Sequence, residues 1–395
     1  MEKEIIKPAI VLVNYNRPDC TKRLLQTVVD ADYLYTDIPL VISIDNSDKS
    51  DEIAEIVSEF DWKYGKKIIV KHSERLGLKK HILECGELSE KYGAVIVLED
   101  DLYVSNNFYQ YAVQALSHYD KDKRIAGVSL YTHSWNGYGN CFFSPQRSEF
   151  DTFFGQFSIT WGECWTKEQF RQFKAWLNDN SEFEDDLLLP KDVNTWGPKS
   201  WGRLFFRYIV KNNLYYVIPY NSFLTNFSNA GEHNDGISSA HQVVLDESKK
   251  DRTFVFPSFE EGVWYDSFFD REFKAQDTIN GIPGNKICVD LNHCKRVSIN
   301  KSYLLTDIRY KKLKKVQSYS LCLRPIEKNA LDGIIGSDFY LYELPAVDTY
   351  RLKNKKMSKF RMAYELYGFR WNGLIGAGVS SFFKKVRNKL KRIFK

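Results

Sequence analysis

The sequence predicts an α/β fold, a mainly parallel sheet with helices on both faces. Three observations predict it. Five short apolar runs alternate with segments of helical periodicity over the first 130 residues. Strand and helix in repeated alternation give right-handed crossovers and parallel strand pairing. Polar residues close the apolar runs, which places them along one rim, where ligands of such sheets bind.

The elements follow in order. AIVLVNY, Ala9 to Tyr15, reads as a buried strand, and Pro18 to Ala31 as a helix with its proline near the first turn. LVISID, Leu40 to Asp45, is the second strand. From Ser50 to Phe60, Ile53, Ile56, Val57 and Phe60 recur at helical spacing. KIIVKH, Lys67 to His72, is the third strand, with a helix expected from about Lys79 to Lys91. AVIVLED is the fourth. Phe108, Tyr111, Ala115, Leu116 and Tyr119 then line one helix face, and IAGVSL, Ile125 to Leu130, is the fifth strand.

Beyond this the character changes. Eight aromatic residues fall in the 24 positions from Phe153 to Trp176, and Trp-Gly pairs occur at 161, 196 and 201. Lys199 to Val210 reads as a helix and Leu214 to Tyr220 as a strand. From about 240 to 360 the pattern is weaker and more charged, and no fold is assigned. These shifts divide the chain into 1–130, 131–240, 241–365 and 366–395.

Composition narrows the function classes. The net charge is +5, but the last twelve residues, Lys384 to Lys395, hold seven Lys and Arg and no acid. The body is therefore slightly acidic, and nucleic acid is not an expected partner. In the tail, Val379, Phe382, Phe383, Val386, Leu390, Ile393 and Phe394 recur at three- and four-residue steps among the basic residues. That is a basic amphipathic helix, suited to an anionic membrane surface. Seven cysteines lie without regular spacing, and the N-terminal stretch lacks a signal peptide's basic and apolar regions. A reducing, cytoplasmic location is expected. Cys288, His293 and Cys294 form half a zinc pattern with no second half, so no zinc site is expected.

The fourth strand ends in three consecutive carboxylates, Glu99, Asp100 and Asp101. Two like charges about 4 Å apart repel by about 1 kcal/mol in water and about 4 kcal/mol at an effective dielectric near 20. Either water screens the cluster or something positive sits on it. Mn²⁺ or Mg²⁺ prefers such oxygen ligands and is often held by one or two carboxylates together with substrate phosphates.

Four segments in order, AIVLVNYNRP, VISIDNS, RLGLKK and VIVLEDDLYVSNNFYQY, resemble the nucleotide-sugar half of A-type, Rossmann-like glycosyltransferases. LEDDLYVSNNFYQYA is similar to the metal-binding segment of the N-acetylglucosaminyltransferase I family and its bacterial family-2 relatives. The resemblance covers about residues 7–235. It implies that 1–130 binds the nucleotide sugar and 131–240 forms the acceptor side of one catalytic domain. It places Asn14, Arg17, Asp45, Lys79, Glu99 and Asp100 at the nucleotide sugar and Asp101 at the metal, with Asp45 on the uracil or ribose and Lys79 near the diphosphate. His233, in FLTNFSNAGEHNDG, would join the metal or a phosphate from a loop that closes over the donor. Trp161 or Trp196 would stack on a sugar. Two of these positions have other readings: Asp45 as a cap of the following turn, and Lys79 as a solvated residue equivalent to Lys80.

An inverting transfer needs a base for the acceptor hydroxyl. Related families place an Asp or Glu just before a Trp at the start of the helix preceding the final strand. Here Lys199 and Ser200 stand there, and Asp192, the nearest acid, is the expected base, with Glu163 in the Trp-Gly turn as the other candidate. The expectation is a UDP-sugar-dependent glycosyltransferase, with Mn²⁺ or Mg²⁺ as cofactor, acting on a saccharide acceptor carried on a lipid. It would work in cell-surface polysaccharide synthesis, on the inner face of the cell membrane, held there by the tail. A catalytically silent glycan-binding scaffold and a sugar-1-phosphate nucleotidyltransferase are the alternatives. The latter lacks a glycine-rich, basic loop after the first strand.

Overall fold

A computed structural model describes residues 5–180, 185–227, 239–249 and 251–353, with residues 365 and 379. The chain divides into two compact units, 1–354 and 355–395. The tail at 366–395, apart from Val379, and His233 lie outside the described residues.

The first strands are β1 (Ala9–Asn14), β2 (Leu40–Ile44), β3 (Lys67–Lys71), β4 (Ala94–Glu99), β5 (Leu102–Val104) and β6 (Ile125–Ser129). Next come β7 (Thr152–Gly155), β8 (Glu163–Thr166), β9 (Tyr215–Pro219), β10 (Leu224–Asn226), β11 (Trp264–Tyr265) and β12 (Arg271–Glu272). One sheet of ten strands runs β12-β11-β7-β9-β6-β8-β4-β1-β2-β3. β3, β2, β1 and β4 are parallel, as are β6 and β9. β8 enters antiparallel between β4 and β6, and β7 is antiparallel to β9. All six residues of β1 and the first five of β4 are buried. Both strands lie in the middle of the sheet, which is why they read as continuous apolar runs rather than alternating ones.

The crossover helices are α1 (Pro18–Asp30), α2 (Ser50–Glu59), α3 (Leu78–Glu87) and α4 (Phe108–Tyr119). α1 buries Cys20, Thr21, Leu24, Leu25 and Val28, the stripe of a helix with one face on the sheet. The helix expected over 79–91 breaks after Glu87, and a separate turn covers Ser89–Tyr92. α5 (Lys167–Asp179) starts at a capping box of Thr166 and Gln169. The short α6 (Lys191–Asn194) and α7 (Trp201–Lys211) complete this part. Most of the aromatic block is core: Phe153, Phe154, Phe157, Trp165, Phe170 and Phe173 are buried. Gly86 on α3 faces the Phe170 ring so closely that a Cβ would fall 2.1 Å from it.

Sequence pattern divides the chain at 240, but β11 and β12 extend the main sheet beyond that point, through the pairing of β11 with β7. A further sheet follows, of β13 (Ile287–Val289), β14 (Tyr303–Thr306), β15 (Lys314–Tyr319) and β16 (Phe339–Glu343), in the order β13-β14-β16-β15. Its small core includes Leu304, Ile308, Tyr340 and Tyr342. Buried Lys295 ties this region to the last turn of the main sheet by ion pairs with Asp266 (2.6 Å) and Asp270 (2.9 Å). These pairings join elements far apart in sequence, which explains the weak local pattern. Cys288 and Cys294 are free thiols, and His293 pairs with Asp307. No helix among the described residues is long and apolar enough to cross a membrane.

Candidate active site

The parallel strands end on one rim, and the chain brings its chemistry there. Asn14 closes β1 and is buried; it donates to the carbonyls of Leu12 (3.3 Å) and Ser43 (3.2 Å) and accepts from Thr21 Oγ1 (2.9 Å). Its polar atoms are thus engaged in joining β1, β2 and α1. Asp45 follows β2 and is 2% exposed. Its carboxylate accepts from the backbone N–H groups of Asn46 (2.8 Å), Leu76 (2.7 Å) and Gly77 (2.9 Å). Gly77, at φ 76°, makes the turn into α3. Asp45 therefore fixes the loop between β3 and α3. Lys79 lies half-buried in the first turn of α3, whereas exposed Lys80 is drawn back along the helix to Glu84 (3.6 Å). That distinguishes two lysines which are equivalent in sequence. Arg75 covers the ring of Tyr15 at 4.9 Å, across the gap between β1 and the start of α3. His81, buried beneath this loop, bonds Ser43 Oγ at 2.7 Å and is held down to about 4 by burial.

The carboxylate triplet meets its counter-charge at Arg17. The guanidinium pairs with Asp100 and reaches Asp101 Oδ2 at 3.4 Å. Burial alone would lower the Arg17 pKa, but the two carboxylates outweigh it and hold the charge more firmly than usual. Asp100 is 3% exposed, and burial pushes it up to about 6 against the pull of Arg17. Glu99 is raised well above the usual carboxylate range, by burial first and then by Asp101 and Asp100. Asp101 keeps Oδ1 buried with no hydrogen-bond partner among the described residues. A hard divalent cation fits that orphaned oxygen. Among the described residues no three His, Cys, Asp or Glu side chains are arranged to hold a metal ion by themselves. A cation here would take Asp101 and complete its shell with phosphate oxygens and water.

The far side of the rim is built by β8 and the Trp-Gly turn before it. Gly162, at φ 70°, is pressed against Leu224 and Leu130, and its carbonyl accepts from Leu130 N–H (3.0 Å). Glu163 pairs with Val97 on β4 and with Ser129 on β6. Val97 and Glu99 alternate onto the same face, so Glu163 is a diagonal neighbour of Glu99. It is 1% exposed, and neither carboxylate oxygen has a partner among the described residues. Burial, and then Glu99, raises it well above the usual carboxylate range.

Trp161 stands half-buried above this turn. Tyr131 meets it edge-on at 5.0 Å and His241 at 4.8 Å, with His133 at 6.3 Å. The Tyr131 hydroxyl donates to the His241 carbonyl at 3.1 Å. Burial lowers His133 to about 3, with a further push from His241, and also lowers His241. Trp196, half-buried, is held by its carbonyl, which accepts from Arg203 at 2.8 Å. Its ring borders Gly202 at the start of α7, which rests on Thr160 next to Trp161.

The structure thus gathers Arg17, Glu99, Asp100, Asp101, Glu163 and Trp161 on the rim, with Asn14, Asp45 and Lys79 on the flank formed by β1, β2 and α3. Asp192 is exposed on α6, and the neighbouring Asn194 is tied to Asp186 rather than to the triplet. Ser200, where a carboxylate was expected, caps α7 by accepting from Arg203 N–H at 3.3 Å. Tyr131, His133 and His241 escape the sequence pattern. The first two directly follow β6, and the rule that strand ends line the site points to them. Nothing local points to His241.

Residues 9–179 match the family described as Glycosyl transferase family 2. No curated protein matches the chain. Among solved structures, it is similar to the mannosyltransferase PcManGT from Pyrobaculum calidifontis in complex with GDP-Man and Mn²⁺, at 12% identity over 54% of this chain and 55% of that one, TM-score 0.35. It is also similar to S. aureus TarS 1–349 in complex with UDP-GlcNAc, at 12% identity over 57% and 60% of the two chains, TM-score 0.37. A third is GalNAc-T7 with UDP, GalNAc and Mn²⁺, at 13% identity over 55% and 43%, TM-score 0.36. The chain spans between 43% and 60% of the length of these three.

Proposed function

We propose, for a chain that carries a glycosyl transferase family 2 domain over residues 9–179 and is on that ground a glycosyltransferase, that it moves a sugar from a UDP-activated donor to a saccharide acceptor with a divalent metal ion. The observation that carries this reading is the triplet at the end of β4, with a buried Asp101 oxygen that has no partner among the described residues, beside a charged Arg17. Asp101 would hold Mn²⁺ or Mg²⁺. The ion when bound would neutralise the diphosphate and stabilise the charge that develops on it as it leaves. Arg17, between the triplet and α1, and Lys79, at the first turn of α3, supply further positive charge toward the same place. Asp45 orders the loop that carries Arg75 and Lys79, and the Arg75–Tyr15 stack offers a planar surface for a base. Trp161, on the opposite side, offers a ring for a sugar face. His233 would join the metal or a phosphate from its loop.

The acceptor we infer is a growing, lipid-linked saccharide of a cell-surface polysaccharide, reached at the inner face of the membrane. The basic amphipathic sequence of the tail supports this. It would hold the enzyme where the acceptor arrives by diffusion along the membrane. Inversion at the anomeric carbon rests on the family resemblance.

Release of UDP from a panel of UDP-sugars, measured with Mn²⁺ and then with EDTA, tests the reading. Metal-dependent turnover is expected. Absence of turnover with every donor would favour a silent glycan-binding scaffold, the reading that Ser200 at the expected carboxylate position supports.

A further inference from the structure

The transfer requires a group that accepts the proton of the acceptor hydroxyl, and the described structure narrows the choice. Ser200 is spent as a helix cap. Asp192 stands exposed on α6, facing Tyr138, which packs on Phe206 and Phe269. Glu163 lies on the rim, but it is 1% exposed and enclosed in the sheet between β4 and β6, away from an incoming acceptor hydroxyl. His133 is enclosed by Tyr131, Phe157 and Phe269 rings at 5.0, 6.0 and 5.4 Å.

His241 differs from all of these. Its ring stands 4.8 Å from that of Trp161, the aromatic face on the acceptor side, against 6.3 Å for the equally half-buried His133. Its backbone is fixed from two directions. The carbonyl of His241 accepts from the Tyr131 hydroxyl, and two residues on, the Val243 N–H donates to Thr225 Oγ1 at 3.1 Å. Thr225 pairs with Tyr103, two residues after Asp101, and the Phe227 N–H donates to the Asp101 carbonyl at 3.0 Å. The strand β10 therefore lies between the triplet and the segment that carries His241. A sugar resting on Trp161 and a diphosphate at Asp101 would have this imidazole beside them.

We infer that His241 is the catalytic base of the transfer, taking the proton from the acceptor hydroxyl across the face of Trp161. This rests on the proposed glycosyltransferase reading. In the step, the acceptor O–H bond breaks and its proton passes to a ring nitrogen of His241. The freed electron pair of that oxygen forms the bond to the anomeric carbon. The bond from that carbon to the diphosphate oxygen breaks, and its electron pair leaves on UDP. An imidazole is free to accept a proton at neutral pH, and burial keeps this one in its neutral form.

The test begins with the wild-type protein, UDP-sugars and Mn²⁺, with UDP release to water as the readout. No release with any donor would remove the glycosyltransferase reading and this assignment with it. Given release, His241→Ala is expected to lower kcat about 100-fold or more, with the affinity for Mn²⁺ and UDP unchanged in calorimetry. Added imidazole should restore part of the rate, which a merely structural role would not allow. A kcat within threefold of wild type would overturn the assignment while leaving the function intact. So would a loss that imidazole does not relieve in a variant that still binds UDP. A loss in His133→Phe that added imidazole relieves, with no such rescue in His241→Ala, would assign the base to His133 instead.

Discussion

Arg17 forms an ion pair with Asp100, and the two join the start of α1 to the carboxylate triplet after β4. The Asp100 side chain is 4% exposed and that of Arg17 is 22% exposed, so neither charge is fully screened by water. Removing one partner of a buried pair strands the other. Arg17→Ala should lower unfolding free energy by about 3 kcal/mol in urea denaturation and weaken UDP binding. A variant of unchanged stability would show that water, not Arg17, compensates the triplet.

Asp101 has a different role, because its free oxygen is the position offered to a cation. Asp101→Ala should abolish metal-dependent UDP binding in calorimetry while circular dichroism and the thermal transition persist. Unchanged affinity would remove the metal from this rim.

Asp45 predicts a loop effect. Its three backbone hydrogen bonds hold Asn46, Leu76 and Gly77, and an amide cannot accept all three equally. Asp45→Asn should cost about 2 kcal/mol in stability. It should also speed hydrogen exchange at Leu76 and Gly77. Exchange unchanged at those amides would mean that the loop is held by other contacts.

Glu163 predicts a pH dependence. Its folded-state pKa lies above the unfolded value because of burial and then Glu99. Between those two values the folded state binds more protons than the unfolded one, so stability falls as pH rises through that window. Glu163→Gln removes this titration. Its melting temperature relative to wild type should rise from pH 4 to pH 8, and a constant difference would refute the upward shift of the buried carboxyl.

The tail makes a separate prediction. Deletion of 379–395 should release the protein from phosphatidylserine-containing liposomes in co-sedimentation and leave UDP release from soluble donor unaffected. Continued co-sedimentation would place membrane binding elsewhere.

By itself the sequence determined the alternation of β1, β2, β3, β4 and β6 with their helices, because strands of a parallel sheet covered by helices carry continuous apolar runs. It also determined that Asn14, Asp45 and the triplet share a rim, since that follows from strand direction alone. Only the tertiary structure decided what those side chains do. Asn14 and Asp45 spend their polar atoms on neighbouring backbone, Arg17 answers the charge of Asp100, and Glu163 is buried beside Glu99. It also decided that His241 meets Trp161 and that β11 and β12 finish the main sheet. These contacts join residues that are distant along the chain, and neither hydrophobic period nor turn chemistry carries information over such separations.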